Sequence, residues 1–461
     1  MIGLTAGPYH EGMTSVALGA RTGIVLRRVL LVLSLVALSG VIGVLAARDT
    51  SLAIPAAAAI LLIGVAVTDL SLIPVLAVPA TLVLARVGGA LSVSDVVLAL
   101  SCVAALALVK ASEMRSMQPL LWAGVIYLAC ALPVQLLYPY RENIIEWGHE
   151  LVLVLGSMVV GFAIGRRGRA PLAIGLYLVA CSAIGVIAGV TAVLSFVHTG
   201  AFQPVYLQDL HKNTIGGMLA AAAVIAFARP SWSGLSRRWA HLALAICGIG
   251  MLAAQSRQAL IGAIVGVLFI AMRPRSDSGR RAKWIWLVSI PIAIAVVNEV
   301  NSQLASDNQF NSAYQRLTWY DDALQVWLQS PVFGVGLRWW YTDRFDARFQ
   351  PPNAELEVLT SVGVVGLFGF LLMFAVALWF LMRMDPVYGT VGAAVVLTRF
   401  TQAQFDLYWV AGQASLLWII AGICCGVRAR DAAAGRAAAS PSAPRAARSR
   451  PSPPLVQESL V

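Results

Sequence analysis

Apolar runs of roughly 15 to 29 residues recur from Val29 to Gly426, each bounded by Arg, Gly or Pro. A helix needs about 20 such residues to cross the hydrocarbon core of a bilayer, so a chain built of them has few other solutions. Hydrophobic residues make up 59% of the 461 positions and charged residues only 12%. Soluble domains carry about 25% charged residues, so an ordinary soluble enzyme, a disordered chain and a disulfide scaffold are all excluded. The expected fold is all-α, a polytopic transmembrane helix bundle of about 12–14 spans. One long outer-face loop interrupts it.

The formal net charge of +11 divides unevenly along the chain. Of the 33 Lys and Arg residues, 23 fall in one alternating set of inter-span segments and nine in the other, and Arg399 sits inside a span. Acidic residues split the other way, seven against fifteen. This is the positive-inside asymmetry, and it places both termini in the cytoplasm of a multi-pass protein of the cytoplasmic (inner) membrane. The basic charge therefore belongs to topology and to contact with membrane lipids, not to a nucleic-acid partner. All six cysteines lie in apolar spans without metal-ligand spacing and read as small core residues. Arg27-Arg28 precede a first span that reads as a retained signal anchor.

The chain divides into a cytoplasmic segment 1–28, transmembrane helices over 29–300, a large extracytoplasmic loop 301–352, transmembrane helices over 353–426, and a tail 427–461. The Ala/Pro/Arg/Ser composition of that tail predicts disorder. The 34 residues Trp239 to Met272, flanked by basic residues on both sides, are too long for one crossing and predict a tight hairpin with Gln255-Ser256-Arg257 at its tip. Within the long loop, Tyr314 to Leu328 has helical spacing. Leu317, Tyr320, Leu324, Trp327 and Leu328 share one stripe, with Asp321, Asp322, Gln325 and Gln329 opposite, which predicts an amphipathic helix at the membrane surface.

Four polar clusters adjoin spans on the outer side: His211-Lys212-Asn213, Gln255-Ser256-Arg257, Tyr314-Gln315-Arg316, and Pro352-Asn353-Ala354-Glu355-Leu356-Glu357. Cations gathered at one membrane face suit a phosphate or pyrophosphate, and a helix starting at Asn213 adds a favourable dipole. Each cluster also has a plainer reading. Arg257 is a snorkelling hairpin residue, Arg316 pairs with Asp321 or Asp322, and His211 is a loop or cap histidine. Trp339-Trp340-Tyr341 either stack on sugars or anchor the interface, and Glu355 and Glu357 suit the acidic first turn of any helix.

The order of the clusters is more specific than any one of them. HKNTIGGMLA, QSRQALIGAIVGVL, YQRLTWYDDALQVWLQSPVFGVGL and PNAELEVLTSVGVVGLFGFLLMF succeed one another over about 205–380. The stretch resembles the O-antigen ligase and O-antigen polymerase superfamily. The best matches are Arg316-x-x-Trp319 followed by Ser330-Pro331-x-x-Gly334-x-Gly336, and Asn353-x-x-Leu356-x-x-Leu359-x-x-x-Gly363-x-x-Gly366. The resemblance implies a glycosyltransferase that takes a glycan from a polyprenyl-diphosphate carrier and passes it to a glycan or lipid acceptor at the outer face. It also implies no metal, nucleotide or other cofactor. Arg257 and Arg316 would hold the pyrophosphate, with His211, Lys212, Asn213, Arg338 and Asn353 as further phosphate or glycan contacts. The family's usual histidine is here Pro352, which has no ionisable group. Either Glu355 replaces it as the base, or the acceptor is activated elsewhere, or the chemistry differs. The competing reading is a transporter or flippase of a lipid-linked glycan. Such carriers keep ionisable groups near the membrane midplane, whereas these spans are nearly bare of them.

Overall fold

The computed structural model describes residues 68–86, 91–207, 210–273 and 312–439, together with Gly64, Ile294 and Asn298. The span expected at 29–46, nearly all of those at 52–68 and 284–300, and the first part of the long loop lie outside the described residues. By its contacts the chain separates into two units, 1–73 and 74–461.

The helices of the second unit are α1 (Val93–Leu108), α2 (Gln118–Cys130), α3 (Pro133–Leu137), α4 (Arg141–Leu151), α5 (Ser157–Arg166), α6 (Ala170–Thr199), α7 (Lys212–Ala228), α8 (Arg237–Ala254), α9 (Arg257–Met272), α10 (Ser312–Trp327), α11 (Ala354–Arg383), α12 (Pro386–Ala403) and α13 (Ala411–Ala439). Among the described residues five helical stretches are long and apolar enough to cross a membrane. The protein is a multi-pass helical membrane protein. Large apolar side chains such as Val103, Val179 and Val197, about 70% exposed, form the outward faces. A lipid surround accepts such faces as water does not.

Small residues let the central helices touch. Gly161 and Gly165 on α5 face Gly422 and Gly426 on α13, and a Cβ at any of these would run into the partner's backbone. Four-residue spacing of small residues on both helices is how packed membrane helices gain dispersion contacts where lipid offers no hydrophobic drive. The stretch Trp239 to Met272 is two helices, α8 and α9, parted by Gln255 in the left-handed region (φ 52°) and Ser256 in extended backbone. Gln255 Nε2 fixes this corner by donating to the Phe202 carbonyl (2.8 Å). Helices α4 and α5 run on through a π-turn at Val152–Gly156.

The long loop is bonded into a break in α11. Gly363 takes φ 68° and ψ −169°, which interrupts the helix and frees backbone groups on both sides. The chain after Pro331 takes them up. Val335 and Gly336 donate to the carbonyls of Thr360 and Ser361 (both 2.9 Å). Val364 and Val365 donate to the carbonyls of Pro331 (3.0 Å) and Val332 (3.2 Å). Polar backbone at membrane depth is tolerated only with partners of this kind.

The expectation for the tail needs correction. The tail is helical beyond Gly426, since α13 runs to Ala439. Ala and Arg are strong helix formers, and Tyr388 Oη donates to Asp431 Oδ2 (3.0 Å), which ties the extension to α12. Residues 440–461 lie outside the described residues. In α10 the side turned to the protein carries Ala323 and Val326, while Leu317, Leu324 and, just past the helix, Leu328 are exposed. Val326 joins Val335 and fully buried Trp339 in a small core of the loop's own. The leucines face outward, where a membrane surface would cover them.

Gly363→Ala should therefore destabilise the protein by about 1–3 kcal/mol or more, because it forces an L side chain to positive φ and into the Val332–Phe333 backbone. Gly175→Ala, on α6 with nothing within 4 Å of the added carbon, should be neutral or stabilising. Thermal melts in one detergent, read by loss of the monodisperse gel-filtration peak, check the contrast.

Candidate functional site

The N-terminal ends of α1, α7, α9 and α11, the C-terminal half of α4, helix α10, the C-terminal end of α12 and the turn before α13 contribute to two polar groupings. Successive residues on a helix turn by about 100°, so Glu355 and Glu357 on the first turn of α11 project about 200° apart. Each faces one of the groupings.

On the Glu355 side, separate stretches of chain bring charges together. Lys212, opening α7, lies within electrostatic range of both Arg257, opening α9, and Arg316 on α10. Asp406, in the turn between α12 and α13, acts on His211 and on Tyr320 of α10. Tyr320 also feels Arg316 and Glu355. Hydrogen bonds fix the frame. Gln258 Nε2 donates to Asp406 Oδ2 (2.6 Å), and Gln404 Nε2 donates to Glu355 Oε1 (2.6 Å). The second carboxylate oxygen of Glu355 is buried and has no hydrogen-bond partner among the described residues. Burial pushes the Tyr320 phenol up from its usual value, Arg316 pulling it back.

Two sequence candidates in this grouping are occupied as helix caps. His211 Nδ1 accepts the backbone N–H of Asn213 (3.3 Å) and so caps α7. Asn353 Oδ1 accepts the N–H of Leu356 (2.9 Å) and caps α11, while its Nδ2 donates to the Gln404 carbonyl (3.0 Å). Asn213 offers its carbonyl to Gln258 Nε2 (3.5 Å).

Arg338 is elsewhere. It pairs with Glu146 on α4 (2.5 Å) and lines a cavity of about 560 Å³ on the Glu357 side. The cavity wall also holds Asp95, His149, Gln350 and the rings of Trp340, Tyr341 and Trp409. His149 sits between Asp95 (Nε2–Oδ1 3.1 Å) and Glu146 (Nδ1–Oε2 3.2 Å), and of the two contacts only that with Glu146 is a hydrogen bond. Glu357, 2% exposed, accepts Gln350 Nε2 on Oε1 (2.7 Å), and its Oε2 has no hydrogen-bond partner among the described residues. Sequence reasoning missed Asp95, Glu146 and His149 as site residues. The available signal was Glu146-x-x-His149-Glu150, polar groups at helical spacing i, i+3 and i+4 where an apolar run begins.

Arg399, the charge inside a span, is a structural anchor. Its Nη2 donates to the carbonyls of Leu407 (2.9 Å) and Tyr408 (2.6 Å), closing the turn that carries Asp406 and Trp409.

Comparison with known proteins bears on the same region. Residues 242–371 match the O-antigen ligase family model. No curated protein matches the chain. The matched stretch carries Arg257, Arg316, Arg338, Glu355 and Glu357, so the chain contains an O-antigen ligase-like domain for membrane glycan transfer. His211, Lys212 and the α1 and α4 walls of the cavity lie before it.

His211 offers a direct check on this geometry. Desolvation lowers its pKa from the usual 6.5; Asp406 opposes that shift and Lys212 adds to it. Titration of ¹⁵N-histidine-labelled protein by NMR should place its midpoint below 6.5. Asp406→Asn should move it lower still and Lys212→Met should move it up. Proton binding is thus weaker in the folded chain than in the unfolded one, so this histidine costs stability as pH falls below 6.5.

Proposed function

We propose that the protein transfers or polymerises a glycan from a polyprenyl-diphosphate carrier onto a glycan or lipid acceptor, at the outer face of the cytoplasmic membrane, with both termini inside. The observation that carries this reading is the meeting of Lys212, Arg257 and Arg316 beside Glu355. Three cations brought from separate elements suit a diphosphate, and the two arginines add bidentate contacts. The N-terminus of α7, opening at Lys212, contributes its dipole to the same anion.

In the proposed reaction the acceptor oxygen forms the new bond to the anomeric carbon as the bond from that carbon to the diphosphate oxygen breaks. The bonding pair leaves with the diphosphate, and Arg257, Arg316 and Lys212 offset the charge gathering there. The acceptor proton passes to Glu355. Gln404 holds one oxygen of this carboxylate, and the other, buried, has no hydrogen-bond partner among the described residues. Glu355 thus takes the place that Pro352 leaves vacant in the family pattern. None of these roles asks for a metal. Arg399 is anchored by backbone carbonyls and lies within electrostatic range of Asp406 and Glu357, so the charge inside a span belongs to the same end of the bundle as the site, which favours chemistry at one face over carriage across the membrane.

Arg257→Ala or Arg316→Ala should abolish glycan transfer in reconstituted protein, and Arg→Lys at either should restore it only in part. Glu355→Gln should lower turnover about 100- to 10,000-fold while donor binding holds. Full activity in Glu355→Gln would move the base to His211. Orientation is checked separately in a cysteine-free background: an impermeant thiol reagent on intact cells should label Asn308→Cys and spare Ser440→Cys, and the reverse pattern would overturn the topology.

A further inference from the structure

The cavity on the Glu357 side has no role in the proposed transfer reaction, yet it is larger and more elaborately built than a packing defect. At about 560 Å³ it falls within the roughly 300–1,000 Å³ of small-molecule sites. Its wall comes from the residues before α1, from α1, α4, α11, the loop 338–350 and the turn before α13, so it joins the matched domain to helices outside it.

Its chemistry differs from that of the cation cluster. Asp95, Glu146 and Glu357 are set against Arg86, Arg338 and His149, and the pairs His149–Asp95, His149–Glu146 and Arg338–Glu146 hold most of this charge internally. A balanced wall has little to offer a diphosphate. It does offer carboxylate and amide oxygens to hydroxyl donors. Glu357 brings a buried carboxylate oxygen with no hydrogen-bond partner among the described residues, on a side chain that lines the space. Leaving such an oxygen unbonded is costly, and a ligand hydroxyl would satisfy it. Trp340, Tyr341 and Trp409 supply flat apolar faces beside these acceptors. Rings joined to hydrogen-bond acceptors suit a ligand with one apolar C–H face and a rim of hydroxyls.

We infer that this cavity is a saccharide-binding site, which holds sugar rings without net charge on Trp340, Tyr341 and Trp409 and bonds their hydroxyls to Glu357, Gln350 and Arg338. The inference rests on the glycan-transfer reading for the origin of the sugar, which is either the glycan of the donor or the saccharide end of the acceptor. The binding itself requires no transfer.

The test is calorimetric titration of the full chain in nanodiscs with two lipid-free probes. One is the glycan freed by mild acid from the source cell's polyprenyl-diphosphate pool, and the other is the saccharide freed from its delipidated envelope. At least one should bind the wild type. Trp340→Leu, Glu357→Gln and Tyr341→Ala should each weaken that binding tenfold or more. Tyr341 is 59% exposed, so its variant reads the site even if a buried change fails to fold. Arg257→Ala should leave binding of the lipid-free probe unchanged. Competition assigns the source. A probe displaced by the intact lipid-linked donor marks the site as the donor's, and one that binds alongside it marks the acceptor's. Absence of binding in both arms, or binding indifferent to Tyr341→Ala and Glu357→Gln, would overturn the saccharide site. Absence of glycan transfer by the reconstituted wild type, with saccharide binding still sensitive to the cavity variants, would instead overturn the transfer reading and leave this site standing.

Discussion

The backbone bonds across the break at Gly363 determine where almost everything else stands. A helix interrupted in the membrane must find partners for its freed carbonyls and N–H groups, and here residues 331–336 supply them. The bonding fixes the loop against α11, which in turn fixes α10 before it and Arg338 after it. Trp339 locks the arrangement from the side, fully buried, with its Nε1 donating to Thr360 Oγ1 (3.2 Å). Asn143 on α4 completes it by accepting the N–H of Leu337 (2.8 Å), while Tyr140 Oη donates to the Leu337 carbonyl (2.6 Å). Both polar groupings are therefore built on rigid backbone, although much of their chemistry sits on a loop.

One turn of helix then divides the chemistry. Glu355 and Glu357 leave α11 on opposite sides, one toward Lys212, Arg257 and Arg316, the other toward His149, Arg338 and the aromatic rings. The two environments differ in charge, and that difference is what lets neighbouring carboxylates do different work. A cation-rich side favours the anion and the developing charge of a leaving group. A charge-balanced, ring-lined side favours a neutral polyhydroxyl ligand.

The helical architecture was legible because hydropathy in a membrane chain is nearly a direct record of its spans. The corner at Gln255-Ser256 was legible for the same reason, as the stretch was too long for a single crossing. The glycines of the loop motif were visible in the sequence, but their purpose was not. That Gly334 packs on the Ser361–Val362 backbone and Gly363 on the Val332–Phe333 backbone depends on bonding between two distant segments, which no local period encodes. The tail misled because composition alone does not separate a disordered Ala/Arg segment from a continuing helix. In the site, the clusters at span ends were readable as places, whereas the separation of Arg338 from the other cations was not. Its pairing with Glu146 depends on the fold of α4, a helix whose ionisable residues looked like ordinary span-end polarity.

The central claim is that Lys212, Arg257 and Arg316 form one diphosphate site beside Glu355. The most direct measurement is an experimental structure of the protein with a sugar-free polyprenyl diphosphate bound. The account predicts both phosphates within about 4 Å of the Arg257 and Arg316 guanidiniums and the Lys212 ammonium, on the Glu355 side of α11, with the cavity of Trp340 and Glu357 free of phosphate. Diphosphate seated against Arg338 in that cavity, or bound with either Arg257 or Arg316 turned away, would contradict it.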